Sequence, residues 1–177
     1  MKKNKIFVAC DSANISKVKK IISKTQNSKI KIGYKFGLEF LNSKKGRPFL
    51  SKLSNKIIFA DLKLHDIPNT CASAVKAMKD LKINYLTIHI SSGLEALKAT
   101  KKVSGKTKLT GVTILTSLDS KALKDIGFNK NVKKLVLHQA RIANKAKLDA
   151  IVCSAQEVKL VKKVFKKEII TPGIRFN

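Results

Sequence analysis

Short apolar runs recur along the chain at Ile6–Ala9, Ile30–Phe36, Ile57–Leu62, Ile83–Ile90, Leu109–Leu115, Leu148–Val152 and Ile169–Ile174. Several are rich in isoleucine and valine and almost unbroken, which predicts parallel strands covered on both faces. Helical patterns lie between them. Ile15, Val18, Ile21 and Ile22 mark one apolar helix face, and Val158, Val161, Val164 and Phe165 mark another. Ala72, Val75, Ala77, Met78 and Leu81 form a third face, with Asn69 placed to cap that helix. Strand and helix alternate with no proline- or glycine-rich linker, so the pattern predicts an α/β protein with a parallel sheet and a single domain over residues 1–177.

Parallel sheets occur chiefly as open doubly wound sheets and as closed barrels. The open type normally carries a glycine-rich turn after its first strand. Here the first strand is followed by "CDSANIS", without glycine. A barrel instead gathers polar residues at the C-terminal ends of many strands. That is the pattern: Asp11 after the first run, Lys35 late in the second, and Asp61 with Lys63 closing the third. His89 follows in the fourth, Thr116 and Ser117 after the fifth, Ser154 after the sixth and Arg175 after the seventh. The expected fold is a (β/α)8 TIM barrel. With seven runs it is expected to be incomplete, lacking an eighth strand and a last helix.

Composition changes this picture little. At 177 residues with 44% hydrophobic content, the chain suffices for one domain with a sizeable core. No apolar run approaches the ~20 residues that span a bilayer. The run after the N-terminal lysines is too short for a signal peptide, so a cytoplasmic location is expected. The net charge of +27 raises the question of nucleic acid. Only Arg47, Arg141 and Arg175 are arginines among 38 basic residues, and the lysines are spread over nearly every segment. Nucleic-acid readers concentrate charge on one face and use arginine for bidentate contacts, so a solvated lysine surface is the better reading. Cys10, Cys71 and Cys153 lack metal-ligand spacing and read as buried thiols.

The segment "FADLKLHDIPNT" concentrates the candidate chemistry. Strand alternation puts Asp61 and Lys63 on one face. Pro68 holds Ile67 extended, which leaves Asp66 on a loop beyond the strand. A lysine near carboxylates stays charged, which suits a proton donor; it equally suits an ion pair closing the end of a barrel. A lone histidine carries little signal, so His65 reads as a loop-packing residue. His89 fits either internal hydrogen bonding or support of a neighbouring group.

The same segment closely resembles the signature of the orotidine 5'-monophosphate decarboxylase family. Further matches follow in order: "VACDSAN", "YKFGLEF", "TIHISSG", "VTILTS", "AIVCSAQE" and "TPGIR". The resemblance implies a (β/α)8 barrel acting as a homodimer with shared active sites, without cofactor or metal, on a nucleotide substrate. It implies that Lys63 protonates C6 of the pyrimidine, that Asp61 lies beside the substrate carboxylate, and that Lys35 bridges Asp61 and the ribose. Asp66 would reach the partner subunit's site with Ile67 beside it. Asp11 would bind ribose, Thr70 the neighbouring subunit's ligand, and Thr116 with Ser117 the pyrimidine edge. Arg175, with Pro172 nearby, would lie on the phosphate side. Leu62, Leu64, His65, Pro68 and Asn69 complete the substrate-lining segment. The family continues past "TPGIR" into a phosphate-gripping loop and an eighth strand with a glycine-arginine phosphate site. Two alternatives are a sister sugar-phosphate decarboxylase or aldolase with the same D-x-K-x-x-D layout, and an inactive fragment.

Overall fold

A computed structural model describes residues 5–129 and 131–173. Seven parallel strands are found among the described residues: β1 (Lys5–Ala9), β2 (Lys31–Gly37), β3 (Ile57–Leu64), β4 (Tyr85–His89), β5 (Lys108–Val112), β6 (Ala150–Val152) and β7 (Glu168–Ile170). They pair in sequence order. Helices alternate with them as α1 (Ile15–Thr25), α2 (Leu38–Asn42), α3 (Gly46–Lys52), α4 (Pro68–Ala77), α5 (Leu94–Val103), α6 (Ser120–Asp125), α7 (Val132–Lys145) and α8 (Val158–Val161). This is the strand–helix repeat of the (β/α)8 barrel class. No helix among the described residues is long and apolar enough to cross a membrane.

The chain forms two compact units. One runs to Leu62 and takes in Lys76–Leu86; the other comprises Lys63–Val75 and the chain from Thr87 onward. In the first unit, β1 and β2 pair with Ala9 opposite Lys35, and β2 and β3 pair with Lys35 opposite Phe59 and Gly37 opposite Asp61. Neighbours in register share a face of a parallel sheet, so Phe7, Ala9, Gly33, Lys35, Gly37, Phe59 and Asp61 lie together. On this face Phe7, Phe59 and Tyr85 form a ring cluster with centroids 5.0–5.7 Å apart. Gly33 leaves the space that Phe7 fills, since a Cβ there would sit 2.7 Å from the Phe7 ring. On the opposite face Tyr34 and Phe36 are fully buried, and the Tyr34 hydroxyl meets Thr25 Oγ1 of α1 at 3.0 Å. Helix α1 starts at Asn14, whose side chain accepts the Lys17 N–H at 3.1 Å. It buries Val18 and Ile22.

In the second unit, β5, β6 and β7 pair with Gly111 opposite Ile151 and Ile151 opposite Ile169. Gly111 admits Leu148 and Ile90, each of which would lie within 3.0 Å of a Cβ at this position. Helix α7 is capped by Asn131, which accepts the Lys134 N–H at 2.9 Å. It turns Leu135, Val136, Ala140 and Ala143 inward.

Three boundaries differ from the sequence reading. Helix α4 begins at Pro68, so Asn69 lies inside its first turn and does not cap it. Proline suits that first position because the N–H it lacks would have no partner there. Strand β5 ends at Val112, which puts Thr116 and Ser117 in a turn beyond it. Strand β7 ends at Ile170, and Arg175 lies outside the described residues.

Gln139 is only 4% exposed on the inner side of α7, and its Oε1 has no hydrogen-bond partner among the described residues. An unsatisfied buried acceptor costs ~1–3 kcal/mol. Gln139→Met keeps the side-chain length and removes that acceptor. The variant is expected to unfold about 2–4 °C higher than the parent in a thermal scan, as ~1 kcal/mol gives for a chain of this size. A lower midpoint would show that the amide contributes favourably.

Candidate active site

Three consecutive strands supply a chain of charges in the first unit. Asp11 follows β1, Lys35 stands late in β2, and Asp61 stands on β3. The Lys35 ammonium lies 3.0 Å from Asp11 Oδ2 and 3.2 Å from Asp61 Oδ2, so one cation is held between two carboxylates. Asp61 is the most enclosed of the three, its side chain 14% exposed against 25% for Lys35 and 47% for Asp11. Burial by itself would lower the Lys35 pKa. The hydrogen bond that Lys35 donates to Asp11 and the charges of Asp61 and Asp11 outweigh it, and the value is raised.

Gly37 fixes the outer end of this chain. Its N–H donates to Asp11 Oδ1 at 3.1 Å, and a Cβ on Gly37 would sit only 2.9 Å from that oxygen. The missing side chain is therefore what lets the carboxylate approach the strand. Cys10 lies directly beneath, with its N–H on the Lys35 carbonyl at 2.7 Å. Cys10 is fully buried, which pushes its thiol up to about 11; the neighbouring Asp11 charge adds to this and Lys35 opposes it.

The second unit carries the remainder of the "KLHDIPNT" segment. Lys63 has a φ of 50°, in the left-handed region, within a strand. Strict alternation does not carry through such a residue, so this turn, and not the pleat, sets where the Lys63 side chain goes. Its N–H donates to the Thr87 hydroxyl at 2.8 Å. The His65 and His89 rings lie tilted by 38° with centroids 5.1 Å apart, and Ser91 Oγ lies 3.4 Å from His65 Nε2. Asp66 is on the loop before α4, as its sequence position implies, and its carbonyl accepts the Cys71 thiol at 3.3 Å. Ile67 beside it is 65% exposed, and Thr70 is exposed on α4.

Beyond β5 and β6, Thr116 lines a surface hollow with Leu115, Ser154, Gln156 and Glu157. Ser154 and Glu157 form a capping box, in which Glu157 Oε2 accepts the Ser154 N–H at 3.1 Å. Burial raises the Glu157 pKa, with the Ser154 N–H opposing. Pro172 is exposed after β7.

The structure thus brings Asp11, Lys35 and Asp61 into one ion-pair chain. Gly37 and Thr87 contact the candidate residues Asp11 and Lys63, and neither is a candidate by its own residue type. The signal for Thr87 was a polar residue inside the otherwise apolar "YLTIHI" run; Gly37 offered only the glycine of "YKFGLEF".

Residues 4–177 match the family described as orotidine 5'-phosphate decarboxylase / HUMPS. The chain belongs to this family. It is 44% identical over 147 residues to an orotidine 5'-phosphate decarboxylase of Sphingopyxis alaskensis, covering 81% of this chain and 65% of that protein. It is 43% identical over 149 residues to one of Buchnera aphidicola, covering 80% of this chain and 60% of that protein. The chain therefore spans somewhat under two thirds of the length of these two relatives. Among solved structures, an orotidine 5'-phosphate decarboxylase from Lactobacillus acidophilus is similar at a TM-score of 0.85 with 32% identity, covering 96% of this chain and 81% of that one. That likeness agrees with the barrel class read from the strand–helix order.

Gly37→Ala is expected to disturb the charge chain with little effect on stability, because the methyl meets the end of a flexible side chain and no backbone atom. In a crystal structure of the variant the Asp11 carboxylate should leave the Gly37 N–H and stand more than about 4 Å from Lys35, the limit of an ion pair. An unmoved carboxylate would mean that the glycine is not what admits it.

Proposed function

We propose that the protein decarboxylates orotidine 5'-monophosphate to UMP, the closing step of pyrimidine synthesis, with residues 1–177 as a single decarboxylase domain. The observation that carries this reading is the Asp11–Lys35–Asp61 ion-pair chain in a chain whose relatives bear that name. In the reaction the bond from C6 to the carboxylate carbon breaks, carbon dioxide leaves and the electron pair stays on C6. The Lys63 ammonium gives its proton to that carbon and is reprotonated from solvent. Fixed charges aimed at a developing carbanion act without reorganisation, which is the largest source of rate such a site has. Lys35, kept protonated by its two carboxylates, holds Asp61 in place and offers its remaining donor capacity to the ribose, with Asp11 binding the same sugar.

The remaining assignments belong to the same proposal. The protein works in the cytoplasm as a homodimer without cofactor or metal, and binds neither nucleic acid nor membrane. The Leu62–Thr70 segment lines the substrate. Asp66, with the exposed Ile67 and Thr70, serves the partner subunit's site. Thr116 and Ser117 face the pyrimidine edge, and Pro172 with Arg175 lies toward the phosphate. An exposed apolar Ile67 next to a loop carboxylate supports a covered surface there.

The direct test is loss of orotidine 5'-monophosphate absorbance with the purified protein, with and without a chelator. Turnover indifferent to the chelator supports the proposal. A chelator-sensitive aldol or decarboxylation reaction on a sugar phosphate would favour the sister activity. Lys63→Ala is expected to abolish turnover while UMP binding by calorimetry persists; retention of a tenth of the activity would remove Lys63 from its role. Mixing Lys63→Ala with Asp66→Ala subunits should restore about a quarter of the activity by statistical formation of hybrid dimers with one intact site. No recovery despite demonstrated subunit exchange would contradict a shared site.

A further inference from the structure

Among the described residues, four that are not glycine take a positive φ: Asn55, Lys63, Lys82 and Lys147. Asn55, Lys82 and Lys147 stand in turns outside the regular elements. Lys63 alone of the four lies within a strand, at φ 50° in β3. The left-handed region costs a side-chain-bearing residue ~1–2 kcal/mol and persists only where the surroundings impose it. Thr87 is one surrounding group tied to this turn. It is 1% exposed on β4, between Leu86 and Ile88, which are also buried. Its hydroxyl oxygen accepts the Lys63 N–H at 2.8 Å. A hydroxyl in an apolar strand is costly without a partner, and a backbone N–H turned by a left-handed residue needs an acceptor. Each group meets the need of the other.

We propose that Thr87 is the positioning residue for Lys63, holding its backbone in the left-handed turn that aims the ammonium at the reacting carbon. This rests on the reading of Lys63 as the proton donor. In this role Thr87 acts through the Lys63 amide. A valine at 87 keeps the shape and removes the acceptor; a serine keeps the acceptor and removes the methyl.

Thr87→Val in the full chain is expected to lower kcat about 10- to 100-fold, the scale on which a misplacement of ~1 Å acts. KM and UMP affinity should stay within about twofold, since only the proton-transfer geometry changes. Thr87→Ser should recover most of kcat. Amide exchange gives a readout independent of turnover. The Lys63 N–H should exchange faster in Thr87→Val and at the parental rate in Thr87→Ser. Unchanged exchange in the valine variant would show that the bond does not hold Lys63 and would overturn the proposal. Faster exchange with unchanged kcat would overturn it as well, leaving Thr87 a structural residue. If Lys63→Ala itself retains turnover, the premise fails and the catalytic half of the proposal goes with it, whatever the exchange rates show. An inactive Lys63→Ala beside a fully active Thr87→Val sinks this proposal alone.

Discussion

One lysine held between two carboxylates is the constraint on which the first unit's chemistry depends. Asp11 and Asp61 are like charges at the ends of strands two places apart, and Lys35 on the intervening strand neutralises both. The arrangement requires register. Ala9 must stand opposite Lys35, and Gly37 opposite Asp61, for the three groups to share a face. A slip of one residue in either pairing would send the lysine or a carboxylate to the other face. The ring cluster of Phe7, Phe59 and Tyr85 lies on that face and locks the pairing by bulk, with Gly33 sized to receive Phe7. An apolar layer specifies the register, and the register specifies the polar site.

The second unit shows a different device. In the first unit position follows from the pleat, but at Lys63 the pleat is interrupted by a left-handed residue tied to a buried threonine. Strain is stored in a chain of ordinary marginal stability, on the order of 5–15 kcal/mol in total, and so at the expense of a visible fraction of that margin. Such a cost is found where a side chain must point along a direction that regular structure does not provide. The dispersed lysines act on another scale. Surface pairs such as Lys98 with Glu95 contribute little to stability, whereas a net charge of +27 draws anions toward the protein at low ionic strength.

How much of this was legible depended on whether the cause was periodic. All seven strands were announced by apolar runs, because a strand buried on both faces leaves an unbroken signature. Asp11, Lys35 and Asp61 were visible as charges at the ends of those runs. Boundaries were less so. Leu109–Leu115 reads as one run, yet β5 stops at Val112, where Thr113 turns its N–H and hydroxyl to the Val152 carbonyl. Asn69 resembles a cap in composition, but the proline before it already occupies the first helical position. The short helices α2 and α3 have no clean periodicity, since Gly46 and Pro48 interrupt the segment. The left-handed Lys63 had no signature at all. Lysine is not a residue that marks a positive φ, and its partner Thr87 is 24 residues away in the chain.

The ion-pair chain makes a definite statement about protonation, and nuclear magnetic resonance of the Lys35 side chain tests it most directly. In the folded protein Lys35 should titrate above its ordinary value of 10.5. A raised folded value means that the pairing stabilises the protein in full below 10.5 and that this contribution is lost as pH rises through the folded value. Replacing Asp11 by asparagine should lower the Lys35 titration, since the strongest opposing influence to burial would be gone. A Lys35 that titrates at or below 10.5 in the parent protein, unmoved by Asp11→Asn, would contradict the charge chain as the organising interaction.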